Sequence, residues 1–169
     1  MADFKTLWDN FPDKDAVAGR CFNKQKGGQQ PFDNYCAILL SECLVRSGMT
    51  VDRCPGTKCW SHEGARHVLR AEDLAAWFDK SPPEGFGARE NVAPAEFQKR
   101  LSGRTGVVFF KDYWTRGNER FASRSGDHID LWRRNEITGG GMFYRSLIEM
   151  LGLVSDLNKS REIWFWEVS

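Results

Sequence analysis

Histidine is scarce in this 169-residue chain, where His62, His67 and His128 are the only three. Chemistry that needs an imidazole therefore has few places to sit. Net charge is equally spare: a formal +1, with basic residues spread along the chain and mixed with acids, leaves no electrostatic footprint for nucleic acid. No stretch approaches the roughly 18 apolar residues that a membrane helix takes, so no membrane insertion is expected. Met1-Ala2-Asp3-Phe4-Lys5 is not an apolar leader. The chain is expected to be made in the cytoplasm and, if exported, to leave by a route that reads no such signal. Repeats and dividing linkers are absent, which predicts one domain over 1–169. No P-loop lysine follows Gly139-Gly140-Gly141, so the run reads as a turn and no cofactor is expected.

Aromatic residues are plentiful, with seven Trp and twelve Phe, and the 41% hydrophobic content supports a real core. Apolar spacing predicts helices over 3–11 (Phe4, Leu7, Trp8, Phe11) and 35–47, the second stopped by Gly48. Further helices are expected from Ala71 and over Ala93–Leu101, with 13–33 as loop and 65–71 as a short strand. From Gly103 the pattern changes. Gly106-Val107-Val108-Phe109-Phe110 is a continuous apolar strand, and His128-Ile129-Asp130-Leu131-Trp132 alternates as a half-buried one. Ile137-Thr138 is a third candidate strand, a helix is expected over 143–151, and Ile163-Trp164-Phe165-Trp166-Glu167-Val168 is the last strand. Helices first and an antiparallel sheet second make an α+β layout.

The five cysteines (21, 36, 43, 54, 59) are odd in number, so at least one thiol stays free. Cys36 is the one expected to. It stands in the first turn of the 35–47 helix, where unpaired backbone N–H groups and the helix dipole favour thiolate over thiol. Cys43 lies further along the same stripe and reads as core. Cys54 and Cys59, flanking Pro55-Gly56-Thr57-Lys58, either close a short disulfide loop or stay reduced and buried. On a period of two, His128, Asp130 and Trp132 share one strand face, and a face with an imidazole and a carboxylate is costly to bury without purpose. A helix bearing Cys36 against a sheet bearing His128 is the arrangement of papain-like cysteine hydrolases.

Four segments carry a resemblance to a known family. They are Phe32-x-Asn34-x-Cys36-x-Ile38-x-x-Ser41 with Ser47-Gly48; Gly106-Val107-Val108-Phe109-Phe110; Gly126-Asp127-His128-Ile129-Asp130-Leu131-Trp132; and Ile163-Trp164-Phe165-Trp166. In this order they resemble the fourth family of type VI secretion amidase effectors, cell-wall hydrolases with a papain-like core. The resemblance implies a toxin injected by the type VI apparatus into the periplasm of a target bacterium. There it would cleave the peptidoglycan stem between D-glutamate and meso-diaminopimelate. It also implies a cognate immunity protein that blocks the active site. Carried over by position, Cys36 is the nucleophile and His128 the base; helix-start chemistry itself leads to the expectation that backbone N–H groups there hold the oxyanion. The family's third member, an aspartate on the strand after the histidine, falls on Gly139. Asp130, Asn135 and Glu136 are the nearby substitutes, and Asp130 is preferred for sharing the His128 face.

One rival reading comes from a different class. Cys54-x4-Cys59-x2-His62-x4-His67 supplies two thiols and two imidazoles, enough for a tetrahedral zinc site in a non-catalytic interaction module. The amidase reading takes no metal.

Overall fold

The computed structural model describes residues 3–24, 29–138 and 157–169. The helix expected over 143–151 and the Gly139–Gly141 turn lie outside these. Among the described residues, the elements are α1 (Phe4–Asn10), α2 (Lys14–Ala18), α3 (Cys36–Arg46), α4 (Ala71–Lys80), β1 (Glu90–Val92), α5 (Phe97–Leu101), β2 (Thr105–Trp114), β3 (Gly126–Arg133), β4 (Glu136–Ile137) and β5 (Glu162–Glu167). The strands form one antiparallel sheet in the order β1-β5-β2-β3-β4. The α+β expectation holds, with helices gathered on an antiparallel sheet.

Local chemistry explains the helix ends. Asp3 caps α1 by accepting the Thr6 N–H at 2.7 Å, which satisfies one of the helix's open donors. Gly48, at φ +81°, takes the left-handed conformation that closes α3. Other expectations change. The 13–33 segment is not all loop, because α2 forms around the buried Val17, a helix too short to show periodicity. The strand expected over 65–71 is only an isolated bridge between Lys58 and Val68. The single helix expected over Ala93–Leu101 is a 3-10 turn at Pro94–Glu96 followed by α5, since proline supplies no N–H and suits only a first turn.

α3 is more buried than an amphipathic stripe requires. Every residue from Ala37 to Leu44 is buried, including Ser41 and Glu42, because α1, α2, α4 and β3 all contact it. Leu40, Cys43 and Leu44 join Phe109, Ile129, Leu131 and Trp166 in one core, whereas Ile38 and Leu39 join Val17, Cys21, Tyr35 and Cys59 in another. A third cluster gathers Val108, Phe110, Trp132 and Phe165 with Phe97 and Leu101 of α5. With helices or side chains on both faces, β3 is buried from Gly126 to Trp132 rather than half-buried. That corrects the sequence expectation: alternation in β3 separates two interiors, not interior from water.

β2 and β5 run so close at Gly106 that a Cβ there would lie 2.1 Å from the Trp166 carbonyl oxygen. Gly106→Ala is therefore expected to force this pairing apart and cost about 1–3 kcal/mol, read as a lower Tm in thermal unfolding, while Gly19→Ala, whose added methyl meets nothing within 4 Å, serves as a control.

Candidate active site

Cys36 opens α3 and keeps part of its surface exposed. Its backbone N–H donates to Asn34 Oδ1 at 2.9 Å, an Asx-type turn that starts the helix. Tyr35, the preceding residue, is buried and donates from its hydroxyl to the Cys21 carbonyl at 2.8 Å. Two hydrogen bonds thus anchor the helix start at and just before the thiol-bearing residue. At rest the Cys36 N–H, one of the donors expected to hold the oxyanion, is engaged by Asn34.

His128 lies on β3 opposite Phe110 of β2, and Asp130 lies opposite Val108. The imidazole is 2% exposed and lies close enough to the Cys36 side chain to interact with it. On its other side Nε2 meets Asp130 Oδ2 at 3.2 Å. The side chains bridge the two-residue separation along the strand. Asp130 is in turn held by the Leu131 N–H at 2.8 Å and the Thr138 hydroxyl at 3.0 Å, both on Oδ1. Phe110 stacks on the imidazole at 6.3 Å between centroids, and Tyr113 meets it edge-on at 6.2 Å. Asn135 lies in the exposed turn and Glu136 opens β4, exposed and paired with Arg133 at 2.9 Å. Of the substitutes for the third member, the structure brings Asp130 to the histidine and leaves the other two away from it.

A defect in the sheet shapes this corner. Between Phe110 and Trp114 the register of β2 against β3 shifts, and Asp112 takes a positive φ of 50°. Asp127 Oδ1 accepts the Asp112 N–H at 3.0 Å and steadies the bulge. Thr138, Tyr113 and Asp127 were not singled out from sequence. For Asp127 the only available signal was its place beside His128; for the other two there was none, because their roles arise from strand pairing and the bulge.

Electrostatics follow from burial. Loss of water works to lower the His128 pKa, but the bonds and charges of Asp130 and Cys36 outweigh it and hold the imidazole above its ordinary 6.5. Burial pushes the Asp130 carboxyl up, opposed by His128, Thr138 and the Leu131 N–H. Burial likewise raises the Tyr113 phenol, so it stays neutral beside the site. Cys36 opens onto a cleft of about 430 Å³ whose lining includes Phe32, Asn34, Arg70, Trp114, Arg116 and Asp127.

The zinc set expected as the rival does not assemble. Cys54 is buried in the main core, its thiol directed to the Pro55 and Asp73 carbonyls, apart from Cys59, His62 and His67. All five cysteines are free thiols, so the Cys54–Cys59 loop closure is not formed either.

A thiol at a buried helix start, an imidazole on an antiparallel strand and a carboxylate behind it define an α+β protein of papain-like layout. Comparison with known proteins is consistent with that class. The family profile described as Type VI secretion system (T6SS), amidase effector protein 4, matches residues 32–166. The chain belongs to this family of type VI secretion amidase effectors. Among solved structures it is similar to the crystal structure of the type VI effector Tae4 from Enterobacter cloacae, at 20% identity and TM-score 0.64, covering 100% of this chain and 98% of that one. It is also similar to the effector Tae4 from Salmonella typhimurium in complex with the immunity Tai4 from Enterobacter cloacae, at 17% identity and TM-score 0.65, covering 99% of each chain. A third likeness is the effector-immunity complex Tae4-Tai4 from Enterobacter cloacae, at 20% identity and TM-score 0.61 over 100% of both chains. No curated protein matches in sequence.

The raised His128 pKa means that the imidazolium persists as pH climbs past 6.5 and is lost only on the alkaline side. An NMR titration of the imidazole is expected to show protonation persisting above the ordinary range, with the midpoint moving down in Asp130→Asn. An unchanged midpoint in that variant would mean that Asp130 does not support the charge.

Proposed function

We propose that the chain is a single amidase domain over 1–169 that uses Cys36 as a nucleophile against peptidoglycan stem peptides. The observation that carries this is the contiguous line Cys36–His128–Asp130, buried at one end and open to a cleft at the other. Family membership supports amide hydrolysis after type VI delivery. The bond cleaved is the γ-D-glutamyl–meso-diaminopimelate linkage, and the place of action is the periplasm of the target cell.

The Cys36 thiolate attacks the amide carbonyl and forms a tetrahedral adduct. As the oxyanion develops, it displaces Asn34 Oδ1 from the Cys36 N–H, and the positive end of α3 stabilises it. The His128 imidazolium passes its proton to the leaving amine, the C–N bond breaks and a thioester remains. With Nε2 held by Asp130, Nδ1 is the nitrogen available for this transfer. Neutral His128 then takes a proton from water, hydroxide attacks the thioester, and the acid product leaves with thiolate and imidazolium restored. Asp130 does not exchange the proton; it keeps the ring oriented and offsets its charge, as the Thr138 and Leu131 bonds fix its own position. Arg70 and Arg116 in the cleft suit a substrate rich in carboxylates. Solved relatives form effector-immunity complexes, which supports a cognate immunity protein seated over this cleft in the producing cell.

Purified sacculi incubated with the protein are expected to yield muropeptides cut after γ-D-glutamate, identified by mass spectrometry, with Cys36→Ala and His128→Ala each slower by on the order of 10⁴-fold or more. Digests in which the γ-D-glutamyl–diaminopimelate bond stays intact would overturn the substrate assignment. In the pH profile of kcat/KM, Asp130→Asn should move the alkaline limb to lower pH, because loss of the carboxylate lets His128 deprotonate earlier.

A further inference from the structure

Away from Cys36, the chain brings a second set of reactive groups together that the amidase chemistry does not use. Cys21 follows α2, and the segment between Cys54 and His67 folds back over it without forming a helix or a strand. Cys21 Sγ and one nitrogen each of His62 and His67 lie within 4.8 Å of one another. Cys59 is fully buried, its thiol against both Cys21 and His67, and 3.0 Å from the Ser61 hydroxyl.

The imidazoles are prepared in a particular way. His62 Nδ1 donates to the Glu63 carbonyl at 2.9 Å, which leaves Nε2 as the lone-pair nitrogen. His67 Nε2 meets the Glu42 carboxylate at 2.8 Å, which leaves Nδ1. Neither His62 Nε2 nor His67 Nδ1 has a hydrogen-bond partner, and both atoms are buried. A buried polar atom left unmatched is costly, and a carboxylate or carbonyl behind each imidazole is the usual outer support of a metal-ligating histidine. Glu42 is itself balanced by Arg46 at 2.8 Å and Arg20 at 2.5 Å, so it adds no uncompensated charge.

We propose that Cys21, Cys59, His62 and His67 form a structural Zn²⁺ site, distinct from the catalytic cleft. The donors are two sulfurs and two imidazole nitrogens, a tetrahedral set closed to substrate. Cys59 stands outside the trio that share the 4.8 Å spacing, so bond lengths of about 2.0–2.3 Å require its thiol and the trio to draw together. Binding expels the thiol protons, and two thiolates then neutralise the dication, so the buried site carries no net charge. The ion ties the Cys54–His67 segment to α2 and, through Glu42, to the helix that bears Cys36. It replaces the set read from sequence, exchanging Cys54 for a cysteine distant in the chain.

The test uses the full chain, reduced and stripped of metal, titrated with Co²⁺ as a spectroscopic probe and then with Zn²⁺. The expected result is an intense visible spectrum with a thiolate charge-transfer band, saturating at one Co²⁺ per chain and bleached by one Zn²⁺. Cys36→Ala and Cys54→Ser should keep it, whereas Cys21→Ser and His67→Gln should lose the stoichiometric band. Zn²⁺ should also raise the Tm of the unsubstituted protein and protect two thiols from a disulfide reagent. Absence of a saturable tetrahedral spectrum in the unsubstituted protein would overturn the proposal without bearing on the amidase reaction. So would a Cys21–Cys59 disulfide in protein isolated from the reducing cytoplasm, or retention of the full band in Cys21→Ser.

Discussion

The register between β2 and β3 sets the geometry on which the catalytic assignment depends. Phe110 opposite His128 and Val108 opposite Asp130 put imidazole and carboxylate on the same side of one strand. A slip by one residue would exchange them with Ile129 and Leu131, which belong to a different hydrophobic cluster. The cost would fall on both interiors at once, since an apolar pair would leave one core and a charged pair would enter it. Packing therefore enforces the alignment that the chemistry uses, and α3, wedged against β3, brings its first residue to meet the strand.

Burying an imidazolium–carboxylate pair is expensive, and such a pair is stable only when its remaining valences are filled. Here they are filled locally. Asp130 accepts from its neighbour's backbone and from Thr138, and His128 is walled by Phe110 and Tyr113 while its ring bonds Asp130 and sits beside Cys36. The same low-dielectric setting that makes the pair costly also makes it effective, because each charge feels the other strongly and water does not screen it. The bulge at Asp112, held by Asp127, supplies the room: a regular β2 would continue its ladder past the site instead of breaking register beside it.

Two polar clusters flank α3, and they are built alike. In one, a carboxylate orients His128 beside Cys36; in the other, Glu42 orients His67 beside Cys59. What differs is access. Cys36 opens to the cleft, while Cys59 is sealed beneath its loop with Cys21. The same pairing of groups can therefore do chemistry at one end of the helix and serve only structure at its middle.

Much of this was legible in one dimension. The helix that starts at Cys36, its stop at Gly48, the apolar strand after Gly103 and the aromatic last strand all follow from periodicity and turn chemistry, which act over a few residues. So does the pairing of His128 with Asp130 on one face. Tertiary structure decided the rest, because it turns on contacts between residues far apart in sequence. Asp130 rather than Asn135 or Glu136 backs the histidine because side-chain reach and the Thr138 bond favour it, which no spacing rule encodes. Cys21 rather than Cys54 joins Cys59, His62 and His67 because the loop folds toward α2, burying the two candidate cysteines in different cores. Local sequence determines which segments form; only the packed interior, where every buried polar atom needs a partner, determines which side chains meet.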